Sequence, residues 1–172
     1  MLFSPMTSAA NEKKLTYFGV EVTKRCNLRC PHCFTDAGNK GHPGPEPEQL
    51  QQLIADLVDV GAKNIAFSGG EPLLRKDLEA AMHHGLARGV RAYSLVTNGF
   101  LADRQRVRSL KAAGLEAVQI SLDGVDARDH AAVRACSPRA FYRALRGIRL
   151  YREVGIVVDV AMILTRACLL YT

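Results

Sequence analysis

The pattern that most limits what this chain can become is a repeated unit: an amphipathic helix closed by glycine, a short link, then an apolar strand. The closing glycines are Gly61, Gly89, Gly114 and Gly155, each where a helix needs a left-handed cap. The strands that follow are read at residues 64–67, 92–96, 117–122 and 157–163, with a first strand at 17–23 before them all. Strands alternating with helices pair in parallel through right-handed crossovers. In the first helix Leu50, Leu53, Ile54, Leu57 and Val58 have the i, i+3, i+4, i+7, i+8 spacing of a helix packed on a sheet. The last helix is expected to open with Ser137 as N-cap and Pro138 in its first turn, and to bury Phe141, Leu145 and Ile148.

An open doubly wound sheet and part of a barrel both satisfy this order. Side-chain alternation favours the barrel. At the fourth strand Gln119, Ser121 and Asp123 share one face, and Val118, Ile120 and Leu122 share the other. Glu21 and Thr23 on the first strand repeat the split, as does Asp159 among the valines of the fifth. Strands buried on both sides are apolar on both, so the polar face is expected to look into a lumen that holds something polar. The alternative is a plain core in which these side chains pair with one another or with water.

With 172 residues, 48 % hydrophobic and 23 % charged, the composition is that of one ordinary globular domain. No apolar run approaches a membrane span, so no membrane partner is expected. Residues 1–14 lack the continuous apolar segment of a secretory signal and read as a flexible leader. The net charge of +6 is scattered over helices with few interleaved aromatics, so no nucleic-acid partner is expected.

Chemistry is concentrated in the cysteines. Three of the five stand in Cys26-Asn27-Leu28-Arg29-Cys30-Pro31-His32-Cys33, directly after the first strand. Such spacing without a signal peptide points to metal ligation in a reducing cytoplasm rather than to disulfides. Thiolates so placed can converge on an iron–sulfur cluster, with one iron left open because three ligands are supplied where four would close it. Zinc is the rival, with His32 or His42 as its fourth ligand. Further motifs fall at the ends of later strands: Ser68-Gly69-Gly70-Glu71-Pro72, Thr97-Asn98-Gly99 and Ser121-Leu122-Asp123-Gly124. Barrel enzymes place their active sites at these C-terminal strand ends.

In order and spacing, these motifs resemble those of the radical S-adenosylmethionine superfamily over about residues 15–167. The resemblance implies a partial (β/α) barrel with parallel strands, five of the usual six βα units being present. It implies a [4Fe–4S] cluster on Cys26, Cys30 and Cys33 whose open iron is chelated by the methionyl amino and carboxylate groups of S-adenosylmethionine. Reductive cleavage would then give a 5′-deoxyadenosyl radical that takes a hydrogen atom from the substrate. Gly69 and Gly70 are expected to let the backbone approach the methionine, and Glu71 to meet its ammonium. Thr97, Asn98, Ser121 and Asp123 are further candidate contacts. His32 stands where the family has an aromatic residue near the adenine.

The stretch from Ser121 through His130 and Arg134 to Phe141 is similar to the peptide-modifying and cofactor-maturing (SPASM-type) branch. There an arginine at the place of Arg134 meets the methionyl carboxylate. That branch often has glycine next, where this chain has Ala135 and Cys136. The implied partners are a flavodoxin- or ferredoxin-type electron donor, docking at Lys24, Arg25 and Arg29, and a peptide or small cofactor-precursor substrate. Because the chain ends directly after the fifth strand, the core at residues 15–167 is expected to be incomplete. Residues 168–172 back-translate as tgt-ctc-tta-tac-aca, resembling a sequencing-library transposon end, and are read as a non-native tail. The readings from another class are a non-enzymatic zinc or iron–sulfur module and an inactive fragment.

Overall fold

A computed structural model describes residues 15–163; the expected leader and the expected tail at 168–172 lie outside the described residues. Five strands, β1 (Tyr17–Thr23), β2 (Asn64–Gly69), β3 (Ala92–Thr97), β4 (Leu115–Ser121) and β5 (Val157–Ala161), alternate with helices. These are α1 (Pro47–Asp59), α2 (Leu78–Ala87), α3 (Arg104–Ala112), and the pair α4 (Ala127–Arg134) and α5 (Arg139–Glu153) before β5. A 3-10 turn, Pro72–Leu74, follows β2. The glycines that close four of the helices all have positive φ: 109° at Gly61, 106° at Gly89, 94° at Gly114 and 74° at Gly155.

All pairings are parallel, and the strand order is β1-β2-β3-β4-β5. A doubly wound sheet reverses its direction of growth at a switch point. Here the order never reverses, so right-handed crossovers stack the helices on one face and leave the other free. The result is an arc of (β/α) barrel wall. Its helix side holds the core, in which Val20, Val22, Ile65, Phe67, Tyr93, Leu95, Val118 and Ile120 are buried. The concave side carries Glu21, Ser68, Ser94, Gln119, Ser121 and Asp159, exposed or half-exposed. Register brings Glu21 beside Ser68 and Gln119 beside Asp159.

Three expectations are corrected. Thr23 leaves the polar row because the β1–β2 register shifts between Glu21 and Thr23. Its hydroxyl accepts from the Arg25 amide at 3.0 Å and donates to the His42 carbonyl at 3.3 Å, at the root of the cysteine loop. In α5 the stripe turns by about one residue. Ala140, Ala144, Gly147, Leu150 and Tyr151 are buried, while Phe141, Leu145 and Ile148 are half-buried. The cause is close approach: a methyl group on Gly147 would lie 3.2 Å from the Gly99 carbonyl oxygen, so small residues face the β3 end. Ser137 makes no side-chain cap, and the helix starts at Arg139.

Candidate functional site

The cysteine loop leaves β1 and is stitched back to it. The Lys24 amide donates to the His42 carbonyl at 2.8 Å, the Gly38 amide to Lys24 at 3.1 Å, and the Cys26 amide to Gly38 at 3.0 Å. The end of β2 closes from the other side. The Gly70 amide donates to the Thr23 carbonyl at 2.7 Å and the Glu71 amide to Arg25 at 2.8 Å. A methyl group at Gly69 would fall 2.3 Å from the Thr23 carbonyl oxygen, and one at Gly70 2.2 Å from that of Arg25. The paired glycines therefore let β2 pass against the root of the loop.

Cys26, Cys30 and Cys33 are half-buried free thiols on one cavity of 370 Å³. Each sulfur is met by N–H groups. Cys26 Sγ accepts from the Leu28 amide at 3.4 Å and stands 3.8 Å from Asn98 Nδ2. Cys30 Sγ lies 3.7 Å from Arg134 Nη1. Cys33 Sγ accepts from the Ala37 amide at 3.3 Å and pairs with the Thr35 hydroxyl at 3.5 Å. Burial pushes the Cys26 and Cys30 thiols up, with Arg134 opposing the rise at Cys30. Burial acts the same way on Cys33, but its hydrogen bonds from Thr35 and Ala37 outweigh it and hold that thiol below the usual range.

Among the described residues no three Cys, His, Asp or Glu side chains converge closely enough for one metal ion. Tetrahedral zinc would need its sulfurs about 3.8 Å apart. A cluster instead takes each thiolate on a different iron, and three separated sulfurs with N–H donors around an open cavity suit that group. His42, the possible zinc ligand, turns its Nδ1 to the Gly44 amide at 3.1 Å and does not line the cavity.

Of the other expected residues, Gly69, Gly70, Thr97, Asn98, Ser121, Arg134 and His32 line the cavity. Glu71 and Asp123 do not. Glu71 is wholly buried: Oε1 accepts from Thr97 Oγ1 at 2.8 Å and from the Leu73 amide at 3.0 Å, and Oε2 accepts from the Asn98 amide at 2.9 Å. Burial raises its pKa against the pull of these hydrogen bonds. The carboxylate ties the end of β2 to the end of β3. Asp123, also wholly buried, binds Arg134 Nε through Oδ2 at 2.6 Å and accepts the Ile163 amide at Oδ1, 2.7 Å away. His32 Nε2 stands 3.9 Å from the same Asp123 Oδ2.

Val96, Gln119, Thr35 and Phe34 also line the cavity. Alternation along the strands puts Gln119 on the lumen face with Ser121, and it could have found Val96, which shares the face of Ser94. Asn27, whose Oδ1 accepts from Asn98 Nδ2 at 2.9 Å, belongs to the cysteine segment but has no spacing signal of its own.

The model of the radical SAM superfamily matches residues 20–166. The AdoMet-dependent heme synthase of Nitratidesulfovibrio vulgaris is 35 % identical over 147 residues, covering 85 % of this chain and 40 % of that protein. The Fe-coproporphyrin III synthase of Methanosarcina barkeri is 40 % identical over 138 residues, covering 80 % and 34 %. Among solved structures, Streptococcus suis SuiB bound to its precursor peptide SuiA superposes with a TM-score of 0.73 at 17 % identity, over 89 % of this chain and 34 % of SuiB. This chain thus spans about 40 % or less of the length of these three proteins. No helix among the described residues is long and apolar enough to cross a membrane.

Proposed function

This chain belongs to the radical SAM superfamily, and from that we propose that it holds a [4Fe–4S] cluster on Cys26, Cys30 and Cys33 and reductively cleaves S-adenosylmethionine there. The observation that carries the reading is the three N–H-supported thiols around one cavity at the C-terminal end of a parallel β/α arc. When bound, the cluster and S-adenosylmethionine supply the one-electron chemistry that produces a 5′-deoxyadenosyl radical.

The chain's own residues bind and orient. Gly69 and Gly70 offer backbone at the cavity wall. Arg134 presents a cation for the methionyl carboxylate, and Asn98, Thr97 and Ser121 offer polar groups to the rest of the cofactor. His32, which lines the cavity, is offered to the adenine. Glu71 and Asp123 work from behind, the first joining two strand ends and the second holding Arg134. The substrate is a peptide or a small cofactor precursor. The first class is supported by the peptide on SuiB, the second by the two relatives named for haem and coproporphyrin synthesis. Exposed Lys24, Arg25 and Arg29 beside the loop suit an acidic flavodoxin- or ferredoxin-type donor in the cytoplasm.

Anaerobic reconstitution should give about four irons per chain and, with reductant and S-adenosylmethionine, 5′-deoxyadenosine. Replacing any one of the three cysteines by alanine should abolish both. Stoichiometric zinc without iron would falsify the reading.

A further inference from the structure

The three sulfurs differ in what meets them. Cys26 and Cys33 face neutral donors, the Asn98 amide and Leu28 N–H in one case, the Ala37 N–H and Thr35 hydroxyl in the other. Cys30 faces a cation, the Arg134 guanidinium, with Nη1 at 3.7 Å. Arg134 ends α4 and is 9 % exposed, so water screens it little. Its direction is held by the buried Asp123, whose Oδ2 accepts from Nε at 2.6 Å. Asp123 is itself anchored by the Ile163 amide at 2.7 Å and by its own amide, which donates to His130 Nδ1 at 3.1 Å. His130 is 1 % exposed and touches Phe141 edge-on with ring centroids 5.9 Å apart. The guanidinium is thus aimed at one thiolate by buried partners, even without a ligand carboxylate to attract it.

Positive charge and N–H donation at a ligating sulfur stabilise the electron-richer state of an iron–sulfur centre and raise its potential. We propose that Arg134 sets the reduction potential of the cluster through the Cys30 sulfur, in addition to any contact with a cofactor carboxylate. This rests on the cluster reading above and adds to it an electronic role for one arginine.

The test is a redox titration of the anaerobically reconstituted protein, followed by electron paramagnetic resonance without S-adenosylmethionine, so that no carboxylate is present. In Arg134→Gln the ratio of reduced to oxidised cluster at a fixed poise should fall at least tenfold, a shift of 59 mV to more negative potential for a one-electron couple. Arg134→Lys should retain part of the wild-type value. Arg134→Gln leaves Asp123 buried without its cation, so the double variant Asp123→Asn/Arg134→Gln removes both charges together and should still titrate below wild type. Iron content equal to wild type with an unchanged potential in both glutamine variants would overturn the proposal. Failure of the wild-type chain to assemble a cluster would instead overturn the reading beneath it.

Discussion

Ala135 closes α4 at φ 48° and ψ 48°, left-handed backbone that a side chain enters at a cost. Ala135→Gly should stabilise the fold by about 0.5–1 kcal/mol, because relief of strain exceeds the entropy glycine adds to the unfolded chain. An unchanged or lower urea midpoint would contradict this. The neighbouring thiols give a second expectation at this scale. In the metal-free protein Cys33 has its pKa lowered, while burial raises those of Cys26 and Cys30. As pH rises, Cys33 ionises first and the other two later, and only the thiolate is nucleophilic. Timed alkylation near neutral pH, read by peptide mass spectrometry, should label Cys33 fastest, with the three rates converging at high pH. Equal rates at neutral pH would count against the hydrogen-bond pattern around Cys33.

Among the elements, β2 and β3 pair along a backbone ladder as far as Phe67 and Leu95, and beyond it one carboxylate ties their ends. Glu71 takes the Thr97 hydroxyl and the Leu73 and Asn98 amides, all buried bonds. Glu71→Ala would strand three donors, and stranded buried donors dominate the cost of such deletions. The expected loss is about 3 kcal/mol of stability, seen as a lower melting temperature even in metal-free protein. A variant that melts like wild type but binds S-adenosylmethionine poorly would restore the carboxylate to the direct contact that its motif suggests. The element scale also shows how far local pattern reaches. Both β2 and β3 start where alternation and closing glycines put them, since period-2 patterning and left-handed caps are local properties. Their ends run on to Gly69 and Thr97, because pairing continues past the apolar run, from Thr23 of β1 to Gly69 and from Ile120 of β4 to Thr97.

For the whole molecule, a monotonic strand order leaves a concave polar face above which the cysteine loop and the ends of β2, β3 and β4 converge. A ligand bridging these segments crosslinks parts of the chain that touch nowhere in sequence. S-adenosylmethionine at a hundredfold its Kd should add about 2.7 kcal/mol to the reconstituted protein. For a domain of this size that is a rise in melting temperature of roughly 5–10 °C. The rise should vanish in the protein lacking its cluster. An equal rise without the cluster would mean that binding does not use the cysteine loop.

The five strands, the helices closed by glycine, the thiol triplet and the strand-end location of Gly69, Gly70, Thr97, Asn98 and Ser121 are all determined by the sequence alone. Each depends on spacing or periodicity within one segment, and short-range sterics translate these directly into geometry. Only the tertiary structure decided which way the side chains at those strand ends turn. Thr23 left the polar row at a register shift, and Glu71 and Asp123 turned into the protein to bind groups from other segments. Arg134 meets Cys30 across 104 positions of chain. Such directions depend on backbone twist and on partners remote in sequence, and a buried carboxylate takes whichever donors the assembled fold brings within reach.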